Sequence, residues 1–271
     1  MKIFYQNNFG QKIDFMSRQY KISSSDLLDY AWEYDSVNTT GVNGAKITKL
    51  YKEMSSHEIT VSVWSYEALN RLHETAERDI LAGMPGRFYI NDQYLSCYII
   101  SGNKSYTEYM SGFLVTQISL VSDYPFWCRE KKYQFSMNRV SEEADYPYDY
   151  PYGYRSYLEQ DEVNNEHYGE SPFRLCLYGP CTNPAVYIGG HLYKINADLT
   201  EGEYALIDSR LRTIKRVKKT GQEENLFSAR EKSSDVFKPI AAGKNTVTWD
   251  GSFWFDLILV TERSEPVWSL S

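Results

Sequence analysis

No window of the 271-residue chain approaches the roughly 20 consecutive apolar residues of a membrane-spanning helix, so insertion into a bilayer by helices is not expected. The first ten residues, MKIFYQNNFG, have no apolar h-region, and no secretory signal is expected. The four cysteines, Cys97, Cys128, Cys176 and Cys181, form no CxxC pair and have no histidine at zinc-ligand spacing. Free, mostly buried thiols are expected, with no metal site and no cofactor. His57, His73, His167 and His191 are scattered without HExxH spacing, no GxSxG occurs, and no glycine-rich loop leads into a helix. The acidic pairs Glu142–Glu143 and Asp161–Glu162 fall in a strongly acidic stretch where solvation accounts for them. A glycosidase needs two carboxylates held rigidly across a cleft. The chain is therefore not expected to be an enzyme.

Positive charge in excess is also missing. The net charge is −7, against general nucleic-acid binding. Residues 1–135 carry 14 basic and 15 acidic side chains, 136–172 carry 2 and 9, and 173–271 carry 13 and 12. Two nearly neutral segments thus flank one acidic stretch. The length suits two domains of ordinary size, and the 42% hydrophobic and 24% charged fractions are those of a globular protein.

Aromatics are in surplus, at 15% with 24 Tyr and 6 Trp. Such residues suit extensive interfaces or glycan contacts as well as cores. Residues 2–16 read as a hairpin with its turn at NNFG, and LLDYAWEY (27–34) reads as a strand with Tyr30, Trp32 and Tyr34 on one face. An Asn/Thr/Gly-rich tip follows, then ITKLYKE as the returning strand of an arm. HEITVSVW alternates as a strand and leads into the one convincing helix, with Ser65 as N-cap, Glu67 in its first turn and Gly83 as its stop. Leu69, Leu72, His73, Ala76 and Ile80 form its inward stripe. A hairpin turning at Asn91–Asp92 and a long strand from Phe113 follow, and Pro125 in DYPFW ends that strand. The first domain is placed at 1–135.

Residues 136–172 read as an acidic connector holding 7 of the 24 tyrosines. Tyr146, Tyr148, Tyr150, Tyr152 and Tyr154 alternate there with Pro, Asp and Gly; they either pack on their own domains or contact a partner or glycan. From Phe173, short apolar runs separated by Gly, Pro and Asn turns, with no helical period, read as an antiparallel β-sandwich over 173–271. The fold class is therefore mainly β with one helix. Trp249 is expected in the core, and Trp254 and Trp268 are candidate platforms. The basic run from Lys215 to Lys219 reads as a solvated strand edge.

The order and spacing of several motifs resemble the distal tail proteins (Dit) of siphovirus-type phages and prophages. In the first half these are LLDYAWEY, the helix ending in DI, PGRFYINDQYLSCYI and YPFW; in the second, NNEHYGESPFRLCLYGPCTNPAVYIGG, LTEGEYALIDSRLRTI, GQEENLF, DVFKPIAAGKNTVTW and RSEPVW. The resemblance implies a ring-forming N-terminal β domain with a protruding hairpin arm, roughly Leu27 to Glu53, and inter-subunit contacts near Trp32 and Tyr34. It implies an outward-facing, galectin-like C-terminal sandwich. Six copies would continue the tail tube, and tail-tip, baseplate or receptor-binding proteins would attach. The protein would reside at the virion tail tip, made in a bacterial cytoplasm from a prophage. The tyrosine-rich connector departs from the family pattern and inherits no role. The competing reading is a carbohydrate-binding module contacting host surface glycans.

Overall fold

The computed structural model describes residues 1–41, 43–105, 114–137 and 159–267, with no account of the side chains of 105 and 159–161. The chain is mostly antiparallel β with one α-helix and divides into two compact units, 1–129 with 262–271, and 130–261.

In the first unit β1 (Ile3–Gln6) and β2 (Lys12–Asp14) form the expected N-terminal hairpin. β3 (Tyr20–Ser25) is followed by β4 (Glu33–Asn38), β5 (Ala45–Tyr51) and β6 (Ser55–Val63). Helix α1 (Tyr66–Ala82) precedes β7 (Gly86–Ile90), β8 (Gln93–Ser105), β9 (Leu114–Ser122) and β10 (Trp127–Phe135). β8 serves two sheets: its beginning pairs with β7 and the start of β10, and its end pairs with β9, which continues through β6 to β3. A register shift between Ile99 and Ser101 lets one strand bend from one sheet into the other. From Thr116 onward β9 alternates buried and partly buried positions, the period-two signature of a strand with one face on the core.

The helix is capped as its sequence requires. Ser65 accepts from the Ala68 amide at 3.1 Å, and Gly83 ends the helix at φ 63°, a conformation that glycine adopts without a Cβ penalty. The inward stripe differs from expectation. Ala68, Leu69, Leu72, Thr75, Ala76 and Asp79 are buried, whereas Ile80 is 46% exposed and His73 only partly covered. Asp79 replaces Ile80 because the core holds partners for it: Tyr5 Oη donates to Asp79 Oδ2 at 2.5 Å, and the Asn8 amide donates to Oδ1 at 2.8 Å. A Cβ on Gly86 would collide with both of these side chains, so glycine is required there. Burial, then the bond to Asp79, push the Tyr5 phenol far above its ordinary value. Cys97, fully buried, is pushed up to about 12 by the same desolvation, which keeps it an inert thiol.

The second unit continues with β11 (Glu159–Asn165), within the stretch read from sequence as connector, then β12 (Phe173–Tyr178), β13 (Cys181–Thr182), β14 (Ala185–Ile188) and β15 (His191–Lys194). β16 (Asp198–Leu199), β17 (Tyr204–Asp208), β18 (Thr213–Val217), β19 (Glu223–Asn225), β20 (Gly243–Trp249) and β21 (Phe255–Arg263) complete it. One sheet runs β19-β18-β17-β12-β21-β10 and another β11-β20-β14-β15. Both supply the same core, with Leu175, Leu257 and Ile207 from the first and Val163, Val186 and Trp249 from the second. This is a β-sandwich. Trp249 is 2% exposed, and its indole N–H donates to the Phe253 carbonyl at 3.1 Å. Buried Asn165 ties the loop after β11: its amide donates to the carbonyls of Gly169, Ile240 and Ala241, and its oxygen accepts from Ser171 and the His167 amide. That accounts physically for the polar motif NNEHYGES.

Replacing Tyr5 by Phe leaves a carboxyl oxygen of buried Asp79 without its donor. The loss expected is roughly 2 kcal/mol of unfolding free energy, read by urea denaturation; an unchanged midpoint and slope would show that the pair holds nothing together.

Candidate functional site

The segment that the body of the first unit leaves uncovered is the β4–β5 hairpin, a two-stranded sheet of its own in which every residue of β4 is exposed. Val, Ile, Thr and Tyr favour the strands, and Gly41 and Gly44, at φ 84° and 92°, turn the tip. A two-stranded ribbon packed on nothing is marginal in water. Its register sorts the side chains. Tyr34 faces Leu50 and Ser36 faces Ile47, whereas Glu33 faces Tyr51, Asp35 faces Lys49 and Val37 faces Lys46. A bulge at Thr48, whose hydroxyl donates to the Asp35 carbonyl at 3.1 Å, puts Leu50 and Ile47 on one side although they lie three apart. The result is one uncharged face and one charged face. On the charged face Lys49 lies 4.8 Å from the Tyr51 ring centroid, and Asp35 leads the nearby carboxylates that raise the Tyr51 phenol.

The root of the hairpin is a cage of rings around one ammonium group. Lys52 Nζ lies 4.9 Å from the Tyr30 ring centroid, 5.6 Å from that of Trp32 and 4.9 Å from that of Phe126, and donates to the Pro125 carbonyl at 3.1 Å. Burial lowers its pKa. Trp32 and Phe126 meet edge to face at 6.1 Å, and Tyr124 adds a ring 5.3 Å from Phe126. Behind the cage His57 Nδ1 lies 3.1 Å from the Asp26 carbonyl, and the Glu58 amide donates to Asp26 Oδ1 at 2.6 Å. An open cleft of about 390 Å³ runs beside this root, lined by Asp26, Tyr30, Lys52, Glu53, His57 and Trp127 among others.

LLDYAWEY is not one strand. Only Glu33 and Tyr34 belong to β4; Asp26 and Asp29 close a turn, the Asp29 amide donating to the Asp26 carbonyl at 2.9 Å, so the chain is bent where the alternating aromatics predicted extension. Tyr30 and Trp32 serve the Lys52 cage, while Tyr34, 60% exposed, lies on the uncharged face of the hairpin. Tyr146, Tyr148, Tyr150, Tyr152 and Tyr154 lie outside the described residues, as does Trp268. Sequence reasoning missed Lys52, Phe126, Ile47 and Leu50. The YPFW motif held the only signal for Phe126, and nothing local marks Lys52 as the group the rings enclose.

The basic run on β18 is paired rather than merely solvated. Lys215 meets Glu223 at 2.8 Å, and Arg216 and Lys218 meet Glu224 at 3.4 and 3.6 Å, both carboxylates supplied by the adjacent strand β19. His191 Nε2 lies 2.8 Å from the Asp235 carbonyl, a partner that accounts for it structurally. Among the described residues no three His, Cys, Asp or Glu side chains gather as a metal ion would require.

No protein-family model matches the sequence, and no curated protein matches it. Solved structures do. The SPP1 Dit protein, described as a paradigm of the hub adsorption apparatus in phages infecting Gram-positive bacteria, superposes with a TM-score of 0.60 over 97% of this chain and 98% of its own, at 12% identity. The chain has the fold of the SPP1 Dit protein. A chain of the phage P2 baseplate in its activated conformation with calcium gives a TM-score of 0.63 at 12% identity, covering 98% of this chain and 100% of that one. The same baseplate with strontium gives 0.62, covering 98% and 99%, again at 12% identity. The likeness in fold thus spans nearly the whole of this chain.

Replacing Lys52 by Met removes the ammonium from its rings and the bond to Pro125. A desolvated cation–π contact is worth about 1–2 kcal/mol, so trypsin cleavage at Lys46 and Lys49 on the arm is expected to accelerate roughly ten-fold; an unchanged rate would show that the cage does not hold the arm.

Proposed function

We propose that this chain is a structural component of a phage tail tip, a hub that assembles as a ring of six copies between the tail tube and baseplate or receptor-binding proteins. The observation that carries this reading is the end-to-end fold match to the SPP1 Dit protein, which leaves almost no part of either chain over. The exposed hairpin supports it. Tyr34, Val37, Ile47 and Leu50 are 54–60% exposed on a ribbon that buries neither face, a costly arrangement unless a partner covers it. In this reading residues 1–135 form the ring, the sandwich over 173–271 faces outward as the attachment module, and Trp32 and Tyr34 mark the root and base of the arm that reaches the next copy. The tyrosines from Tyr146 to Tyr154 are an added contact surface. The protein resides in the virion tail tip of a phage or prophage, and its work is assembly rather than catalysis.

Native mass spectrometry of the purified chain is expected to show a six-copy species, and negative-stain images a ring with a central channel. A monomer at every concentration tested would remove the ring reading.

A second reading has an observation of its own on the sandwich. Tyr178 lies 6.0 Å from Tyr204 and 5.9 Å from Trp254, ring centroid to ring centroid, with Trp254 54% exposed. Beside them Asp256 accepts from Tyr178 at 2.7 Å, Lys132 at 2.9 Å and Gln134 at 3.3 Å. Burial pushes the Asp256 carboxyl up, but these three donors outweigh it and hold the group below its ordinary value. Rings beside a charged, hydrogen-bonding cluster suit a pyranose of a surface glycan. A glycan array probed with the full chain is expected to lose its signal on replacing Trp254 by Ala; an array blank for the unaltered chain rejects sugar binding.

A further inference from the structure

We propose that the tip of the arm is a self-modification site, at which Asn43 loses its side-chain amide through attack by the backbone nitrogen of Gly44. The proposal goes beyond the ring reading and does not depend on it. Asn43–Gly44 is the chain's one Asn-Gly pair. The hairpin ladder ends at the pair Asn38–Ala45, so both residues lie outside it, and both are exposed. Among the described residues no hydrogen bond holds the Asn43 amide group or the Gly44 N–H. Gly44 stands at φ 92° with no atom within 4 Å of where a side chain would begin, so nothing blocks the approach of its nitrogen to the Asn43 carbonyl carbon.

The chemistry needs only water and hydroxide. The Gly44 nitrogen gives its proton to hydroxide and bonds to Cγ of Asn43, closing a five-membered imide. The Cγ–Nδ2 bond then breaks, and ammonia leaves with a proton returned by solvent. Water adds to either imide carbonyl and opens the ring, leaving an aspartyl or an isoaspartyl linkage at position 43. No electron is gained or lost overall. Residues 36–45 contain no charged side chain, so either product places the first charge on the tip, and the isoaspartyl form also lengthens its backbone by one carbon.

Other asparagines are restrained. Asn91 accepts from the Lys2 amide at 3.0 Å and precedes Asp92, whose side chain crowds the attacking nitrogen. Asn165 and Asn245 are buried, with their amide groups donating to backbone carbonyls. The one Asp-Gly pair, Asp250–Gly251, is held as well: Asp250 Oδ1 accepts from the Ser252 N–H at 3.0 Å and its hydroxyl at 2.8 Å, and Gly251 is buried.

The test incubates the folded full chain in warm, mildly alkaline buffer and follows it by peptide mapping. Asn43 is expected to lose its amide at least about ten-fold faster than Asn91, Asn165 or Asn245, at a rate that rises with pH, giving aspartyl and isoaspartyl peptides together. Labelling by an isoaspartyl methyltransferase is expected to appear in parallel and to vanish in the Asn43→Gln variant, whose melting temperature stays that of the unaltered chain. Unfolding in guanidinium chloride is expected to add an isoaspartyl signal at position 250, which the folded chain withholds. An Asn43 amide that persists as long as that of Asn91 would overturn the proposal, as would conversion to the aspartyl form alone, which would mean direct hydrolysis without the ring.

Discussion

Strand β8 imposes the constraint on which the first unit depends. It must pair with β7 and β10 at its start and with β9 at its end, and a straight strand cannot lie in two sheets at once. The register shift around Ile100 resolves this by adding one residue and a bend, and Ile100 is left 55% exposed. Past the bend, Gly102 lies directly beneath His73 of the helix, where a side chain would collide with the imidazole ring. Burial, then Lys104, lower the pKa of His73, so the helix rests on β8 with a neutral ring. At the other end of the helix, the Tyr5–Asp79 pair fastens it to β1 beside β7. The imidazole packed on Gly102 and the Tyr5–Asp79 hydrogen bond therefore locate a helix whose apolar stripe alone would leave its rotation and tilt loosely determined.

The arm shows the same economy on a smaller scale. A hairpin that projects from a domain has no core to orient it, so its direction must be set at the root. The rings of Tyr30, Trp32 and Phe126 come from two separate stretches of chain and converge on Lys52, which leaves β5 directly after Tyr51. Desolvation costs the ammonium part of its hydration, and the ring faces with the Pro125 carbonyl replace it. Farther out, the one-residue bulge at Thr48 divides the ribbon into a charged and an uncharged side. Root and bulge together decide where the arm points and what kind of surface it presents.

Much of this was legible in local pattern. Ser65 and Gly83 mark the helix ends because capping is a matter of adjacent backbone groups; the Asn91–Asp92 turn, the alternation of β9 and the burial of Trp249 follow from equally short-range rules. The errors are informative. Tyr30, Trp32 and Tyr34 alternate as a strand would, yet Asp26 closes a turn with groups around Glu58, some thirty residues away. Ile80 fits the helical stripe, but Asp79 takes the buried place because Tyr5 and Asn8 wait there with donors.

By itself the sequence determined the β-rich class, the two neutral segments around an acidic stretch, the helix with its caps and the existence of an arm, since each depends on periodicity, turn chemistry or composition within a short window. Only the tertiary structure decided that Lys52 sits at the centre of the aromatic residues, that Asp79 is a core residue and Leu81 a surface one, and that the arm has one uncharged side. Those outcomes depend on groups distant in sequence and on a single-residue change of register, and neither leaves a local periodic trace.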